Sequence, residues 1–215
     1  MPPKPKFTKE EILNAAFDIA REKGIDAVAA REVGKRLGTS SSPIFTFWGS
    51  MDELLEEIKE KAMKLFGSYL LVANKYSPSF KMRGMQMIKY AQEEPKLFRM
   101  LFMAEGERVG FHELMNTRVL GFSKDLKVIQ RLYEITEEEA LLVFNQLWIQ
   151  AYGICVLCAT NICRFTEKEL SDILGQSFAG AVMLVKSGKL KNMSVSPALK
   201  GTPDGKRTEG SFLED

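Results

Sequence analysis

Apolar residues return every three or four positions along most of this chain, a period that predicts helices throughout and an all-α fold. In residues 9–24, KEEILNAAFDIAREKG, Ile12, Ala16, Ile19 and Ala20 share one face, with Leu13 and Phe17 beside them. Thr8 and Glu11 have the spacing of a capping box at its start, and Gly24 closes its end. Residues 30–47, AREVGKRLGTSSSPIFTF, predict a helix, a tight turn and a second short helix. Val33 and Leu37 make an inward stripe while Arg31, Lys35 and Arg36 face out. Gly38 stands where a left-handed cap is needed, which glycine accepts without a Cβ clash. Thr39 and the serines at 40, 41 and 42 offer capping hydroxyls, and Pro43 fits the first turn of the helix that follows. Ile44 and Phe47 then pack back onto Val33 and Leu37. Two short helices joined by a glycine turn, the second polar at its exposed start, have the form of a helix-turn-helix.

Beyond it, Ser50 and Glu53 predict a cap for one long helix over residues 52–75, with Leu54, Leu55, Ile58, Ala62, Leu65, Phe66, Tyr69 and Leu70 as its apolar stripe. Ser77-Pro78 starts the next helix, and Glu94-Pro95 breaks it and starts another. Thr136 and Glu139 open a helix through about residue 162 that is apolar on nearly every side, and Thr166 and Glu169 open the last, through about residue 186. Helices this apolar are buried on more than one side. Residues 190–215, rich in Gly, Pro, Ser and Lys and without a period, are expected to form a flexible tail.

The segment over residues 8–55 resembles the TetR family of bacterial transcriptional regulators. Ile12, Ala15, Ala16, Phe17, Ala20, Gly24, Ala27, Arg31, Val33, Lys35, Gly38, Ser40, Ile44, Phe47, Ser50, Glu53 and Leu54 carry the resemblance. It implies a helix-turn-helix DNA-binding domain over residues 1–50 and a helical ligand-binding and dimerisation domain over 51–189. It also implies an inducer pocket in the middle region and a dimer built as a four-helix bundle from the last two helices of each subunit. Two positions depart from the family pattern. Phe45 stands where a tyrosine hydroxyl usually meets a phosphate, and Met51 where a lysine is usual.

On the outward face of the second short helix, Ser41, Ser42, Pro43 and Thr46 are the candidates for base edges, and Phe45 belongs to the same DNA-binding set. Arg31, Lys35 and Ser40 are candidates for phosphates, and Lys4 and Lys6 for a basic arm folded onto the backbone or into a minor groove. Net charge is only +2, and through residue 50 eight basic residues face six acidic ones, an excess that permits DNA contact without predicting it.

Six of the eleven methionines (Met82, Met85, Met87, Met100, Met103 and Met115) lie in the middle segment, interleaved with Phe80, Phe98, Phe102, Phe111 and Phe122. Such a set suits a soft apolar cavity for a small hydrophobic effector, with Gly106, Gly110 and Gly121 marking looser connections where it opens. Expected ligand contacts are Met82, Met85, Phe98, Phe102, Met103, Phe111, Met115, Phe122, Trp148 and Tyr152. Expected dimer contacts are Leu147, Ile154, Leu170, Leu174, Phe178, Val182 and Val185.

The chain has one histidine, His112, no Gly-rich phosphate loop and no patterned metal ligands, so neither an enzyme nor a bound metal or cofactor is expected. Cys155, Cys158 and Cys163 have no fourth ligand nearby and are expected to be buried reduced thiols. The first residues lack the apolar core of a signal peptide, and uninterrupted apolar runs fall short of the ~20 residues a spanning helix needs, so a cytoplasmic protein is expected. The expected function is a homodimeric repressor bound to a palindromic double-stranded DNA operator and released by its effector. The alternative is a dimeric small-molecule-binding protein whose DNA contacts have weakened, motivated by Phe45 and Met51.

Overall fold

A computed structural model describes residues 6–106, 109–111, 113–114 and 122–189. Lys4, His112, Met115, Gly121 and the tail expected over 190–215 lie outside the described residues. Eight helices are described: α1 (Lys9–Lys23), α2 (Ala30–Arg36), α3 (Met51–Val72), α4 (Ser79–Glu93), α5 (Pro95–Phe102), α6 (Phe122–Tyr133), α7 (Glu137–Ala159) and α8 (Glu167–Lys186), and the described residues contain no strand.

Local signals set most boundaries. Thr8, Thr136 and Thr166 each accept a hydrogen bond from the backbone N–H three residues on, and the glutamate carboxylate there accepts one from the threonine backbone N–H. Ser50 likewise accepts from the Glu53 N–H, but the Glu53 carboxylate reaches back one residue further, to the Gly49 N–H at 2.8 Å. Pro95 opens α5, as its missing N–H allows. Gly38 takes the left-handed conformation at φ +66.

One core runs from the first helix into the last. It joins Ile12, Phe17 and Ala20 of α1 to Leu54 and Ile58 of α3, Leu97 and Phe98 of α5, Ile154 and Cys158 of α7, and Leu170 of α8. It therefore crosses the boundary expected at residue 50. A polar clamp reinforces the junction: Arg21 of α1 makes a two-pronged ion pair with Glu94, a buried carboxylate between α4 and α5, with Nε 2.6 Å from Oε2. A second core gathers Phe80, Phe122, Ile129, Val143, Phe144 and Val182.

Helix α7 corrects the reading based on uninterrupted runs. Asn145, Gln146 and Gln150 interrupt its apolar residues but carry no charge, so its best 18-residue window reaches a mean hydropathy of 1.6, enough by length and composition to cross a bilayer. Val143, Phe144, Ala151, Ile154, Cys155 and Cys158 of this helix are buried against the other helices. Burial pushes the Cys155 thiol well above the ordinary thiol range and also raises Cys158. At neutral pH both are protonated and poorly nucleophilic. Iodoacetamide is therefore expected to label half-buried Cys163 first and to reach Cys155 only after denaturation, which mass spectrometry of a labelling time course reads directly.

Candidate DNA interface and apolar cavity

The expected second short helix is not a helix. After α2 the chain turns at Gly38 and reaches a single 3₁₀ turn, Ile44–Thr46, before α3. Pro43 suits a first turn, but the serines before it favour local turns, and Ile44, Thr46 and two phenylalanines are poor helix extenders. Two apolar anchors hold the turn instead. Ile44 is 1% exposed and Trp48 is equally deep, both in the core with Val33 and Leu54.

Around those anchors Ser40, Ser42, Phe45 and Thr46 are exposed, with Ser41 and Pro43 partly so. The turn thus brings the expected base-edge residues together on one surface. Ser40 also accepts a long hydrogen bond from the Ser42 N–H, 3.4 Å, so its hydroxyl supports the turn itself. Phe45 is 51% exposed, an apolar ring held out toward solvent. Arg31 and Lys35 are exposed and enter no ion pair among the described residues, as phosphate contacts require. Arg36 is committed elsewhere, donating to both oxygens of Glu22 on α1 at 2.6 and 2.8 Å. Lys6 is exposed at the start of the described chain.

The sequence reading missed Gly34. A Cβ there would lie 2.7 Å from the Ser40 carbonyl oxygen and 2.8 Å from its carbon, both backbone atoms. Helix α2 and the turn touch at this point, and only glycine fits. Gly34→Ala must push the turn outward, at a cost of about 1–3 kcal/mol for overpacking. Operator affinity is expected to fall by about tenfold or more, at ~1.4 kcal/mol per decade, in a fluorescence-anisotropy titration.

At the other end lies a cavity of about 330 Å³. Helix α3 contributes Phe66 and Leu70, α4 contributes Phe80, Arg83 and Met87, α5 contributes Phe102, α6 contributes Asp125, and α7 contributes Phe144, Leu147, Trp148, Ala151 and Tyr152. Trp148 and Tyr152 stack at 5.0 Å between ring centroids, and the Tyr152 hydroxyl donates to the Phe102 carbonyl, tying α7 to the end of α5.

Of the expected ligand residues, Phe102, Trp148 and Tyr152 line this cavity. Phe98 lies behind the wall, fully buried against Phe102, and Phe122 packs behind Phe144. Met82 and Met85 line a separate surface groove beside Tyr76 and Lys168. Met103 is exposed, and Phe111 touches the Trp148 ring from outside, edge-on at 6.0 Å. Arg83 and Asp125 were not anticipated. Their signal is present in the chain as a charge inside an apolar stripe, Phe80-Arg83-Met87 on α4 and Phe122-Asp125-Ile129 on α6.

The expected dimer residues turn inward. Ile154, Leu170, Leu174, Val182 and Val185 are buried within the protomer, and Phe178 packs against Phe80 and Tyr133. Leu147 lines the cavity. Because α7 is apolar on nearly every side, the sequence period does not tell the inward face from the outward one. Outward on α7 and α8 stand Ile149, Leu157, Met183 and Leu184, with Ile162 just beyond α7.

Helix α2, the turn at Gly38 and the exposed surface of a single 3₁₀ turn, seated on the long α3, are arranged as in a DNA-binding head of the helix-turn-helix class. Residues 12–58 match the family model described as bacterial regulatory proteins, tetR family. The match spans α2, the reading turn, most of α1 and the first turns of α3. No match was found among curated proteins or among solved structures.

Proposed function

We propose that the protein is a ligand-responsive repressor that binds a palindromic operator as a homodimer in the cytoplasm and is released by a small hydrophobic effector. One observation carries this reading: α3 belongs to both ends of the molecule. Leu54, in its first turn, packs in the core that seats Ile44, while Phe66 and Leu70 form part of the cavity wall. The twelve residues from Leu54 to Phe66 place the two ends about 18 Å apart on one rigid element. An effector that moves the wall therefore moves the base of the reading turn.

Arg31, Lys35 and Lys6 supply phosphate contacts, and Ser41, Ser42, Pro43, Phe45 and Thr46 meet base edges, where the Phe45 ring and the Thr46 methyl suit a thymine methyl. The outward row Ile149, Leu157, Met183 and Leu184 supports a two-fold pairing of α7 and α8 with a second copy. Two reading turns then address half-sites ~34–36 Å apart. The effector releases DNA only to the extent that it binds the released arrangement more tightly than the bound one.

Titration of the purified protein against its own upstream DNA, at several salt concentrations with a scrambled competitor, tests this. Specific, salt-sensitive binding by a dimer supports it. Affinity no better than for the scrambled duplex sinks it and favours a dimeric small-molecule-binding protein. Phe45 is the observation on that side, since it has no hydroxyl to offer a phosphate.

A further inference from the structure

Beside the large cavity lies a smaller one of about 110 Å³, between α4, α7 and α8. Phe80, Gly84, Leu147 and Ala151 line both, so one layer of residues separates the two spaces. Gly84 is the gap in that layer. It sits inside α4 without a positive φ, so the backbone does not demand glycine, and glycine there weakens the helix. A Cβ added at 84 would stand 3.7 Å from Leu174 Cδ1, which lines the small cavity, an ordinary contact. What the glycine supplies is room between the two spaces.

Lys81 marks the far end. Met87, Gly84 and Lys81 follow one another at about 4.5 Å along α4. Met87 lines the large cavity, while Lys81 lines both the small one and the surface groove outside it. The two cations in these walls differ. Arg83 is compensated by Asp125, 2.7 Å away. Lys81 lies near Gly175 of α8, its Nζ 3.0 Å from Ser171 Oγ, and makes no ion pair among the described residues. In the groove, Lys168 is already paired with Asp172, and Glu167 is the remaining carboxylate. We infer that the effector is a rod-shaped amphiphile with an aryl body among Phe66, Phe102, Trp148 and Tyr152, an unbranched alkyl chain past Gly84, and a carboxylate end at Lys81. This rests on the reading of the large cavity as the effector site. Gly84 then sets the length of ligand accepted.

Phenylalkanoates from 4-phenylbutyrate to 8-phenyloctanoate test it by isothermal titration calorimetry at neutral pH, with propylbenzene as a probe of the large cavity alone. Each methylene buried past Gly84 predicts about fourfold tighter binding, so the octanoate should exceed the butyrate by about tenfold or more. In Gly84→Leu, propylbenzene still binds and the gain with length disappears. Gly84→Ala, whose methyl fits, should trim the gain, and it decides the matter if the leucine variant does not fold. Lys81→Gln should weaken the octanoate by about two- to fivefold, the range for an exposed ion pair, and leave 8-phenyloctan-1-ol unchanged. No gain with length, or a gain that survives intact in the Gly84 variants, overturns the proposal while leaving the cavity reading intact. An equal response of the octanoate and the alcohol to Lys81→Gln overturns the carboxylate end. Failure of propylbenzene and of every phenylalkanoate to bind the folded protein overturns both the proposal and the cavity reading.

Discussion

Asp125→Ala is expected to cost about 3–5 kcal/mol of stability, because it strands the Arg83 guanidinium, largely buried, without its counter-charge. Arg83→Met/Asp125→Leu, which removes both charges and keeps the bulk, is expected to be neutral or stabilising in the same urea titration. The contrast follows from desolvation, which dominates at this pair: burial lifts the Asp125 pKa above its ordinary 3.8 even with Arg83 beside it. The sign of the pH dependence follows. A folded-state pKa above the unfolded one means that the folded protein holds the extra proton. The contribution of Asp125 is therefore most favourable below about pH 3.8 and is lost as pH rises through the folded value. Melting curves from pH 4 to pH 7 should show the double variant gaining on the wild type as pH rises. A constant difference across that range would mean that the Asp125 pKa is not raised.

Ile44→Ala is expected to cost about 2–5 kcal/mol, the range for truncating a fully buried aliphatic side chain. Its location gives the loss a second consequence. A single 3₁₀ turn has few backbone hydrogen bonds of its own, so its position depends on Ile44 and Trp48 reaching the core shared with Val33 and Leu54. Without the Ile44 side chain, the surface bearing Ser42, Phe45 and Thr46 loses its seat. Operator affinity should then fall by more than tenfold at temperatures where the protein is still folded. Binding of an apolar probe such as propylbenzene in the cavity at the far end should be little changed. Equal losses at both ends would show that the substitution loosens the whole chain rather than the reading turn.

Signals confined to a few neighbouring residues were legible in the sequence. Each Thr-x-x-Glu at 8, 136 and 166 became a capping box, Glu94-Pro95 became a helix break, and Gly38 took its left-handed cap. Such features depend on backbone groups within one turn of the residues that satisfy them. What depended on distant partners was not legible. Gly34 is required by the Ser40 backbone, a contact that a helical pattern alone does not imply. Met82 and Phe102 look alike as apolar positions, yet one lines a surface groove and the other the cavity. Arg83 and Asp125 each break an apolar stripe, but 42 residues separate them, and only the fold pairs them. For α7 the obstacle was excess signal, since apolar residues on nearly all sides leave no polar face to mark its exterior.

The core that continues across residue 50, with the Arg21–Glu94 clamp at its edge, limits how this protein is re-engineered. Its reading head is not a cassette. A chimera that exchanges only the first 50 residues for those of another regulator would set a foreign α1 against Leu97 and Phe98 and leave Glu94 facing whatever replaced Arg21. A working transplant carries the α5 surface along with the head, so new DNA specificity is more simply reached by changing the exposed side chains of the turn while its buried anchors are kept.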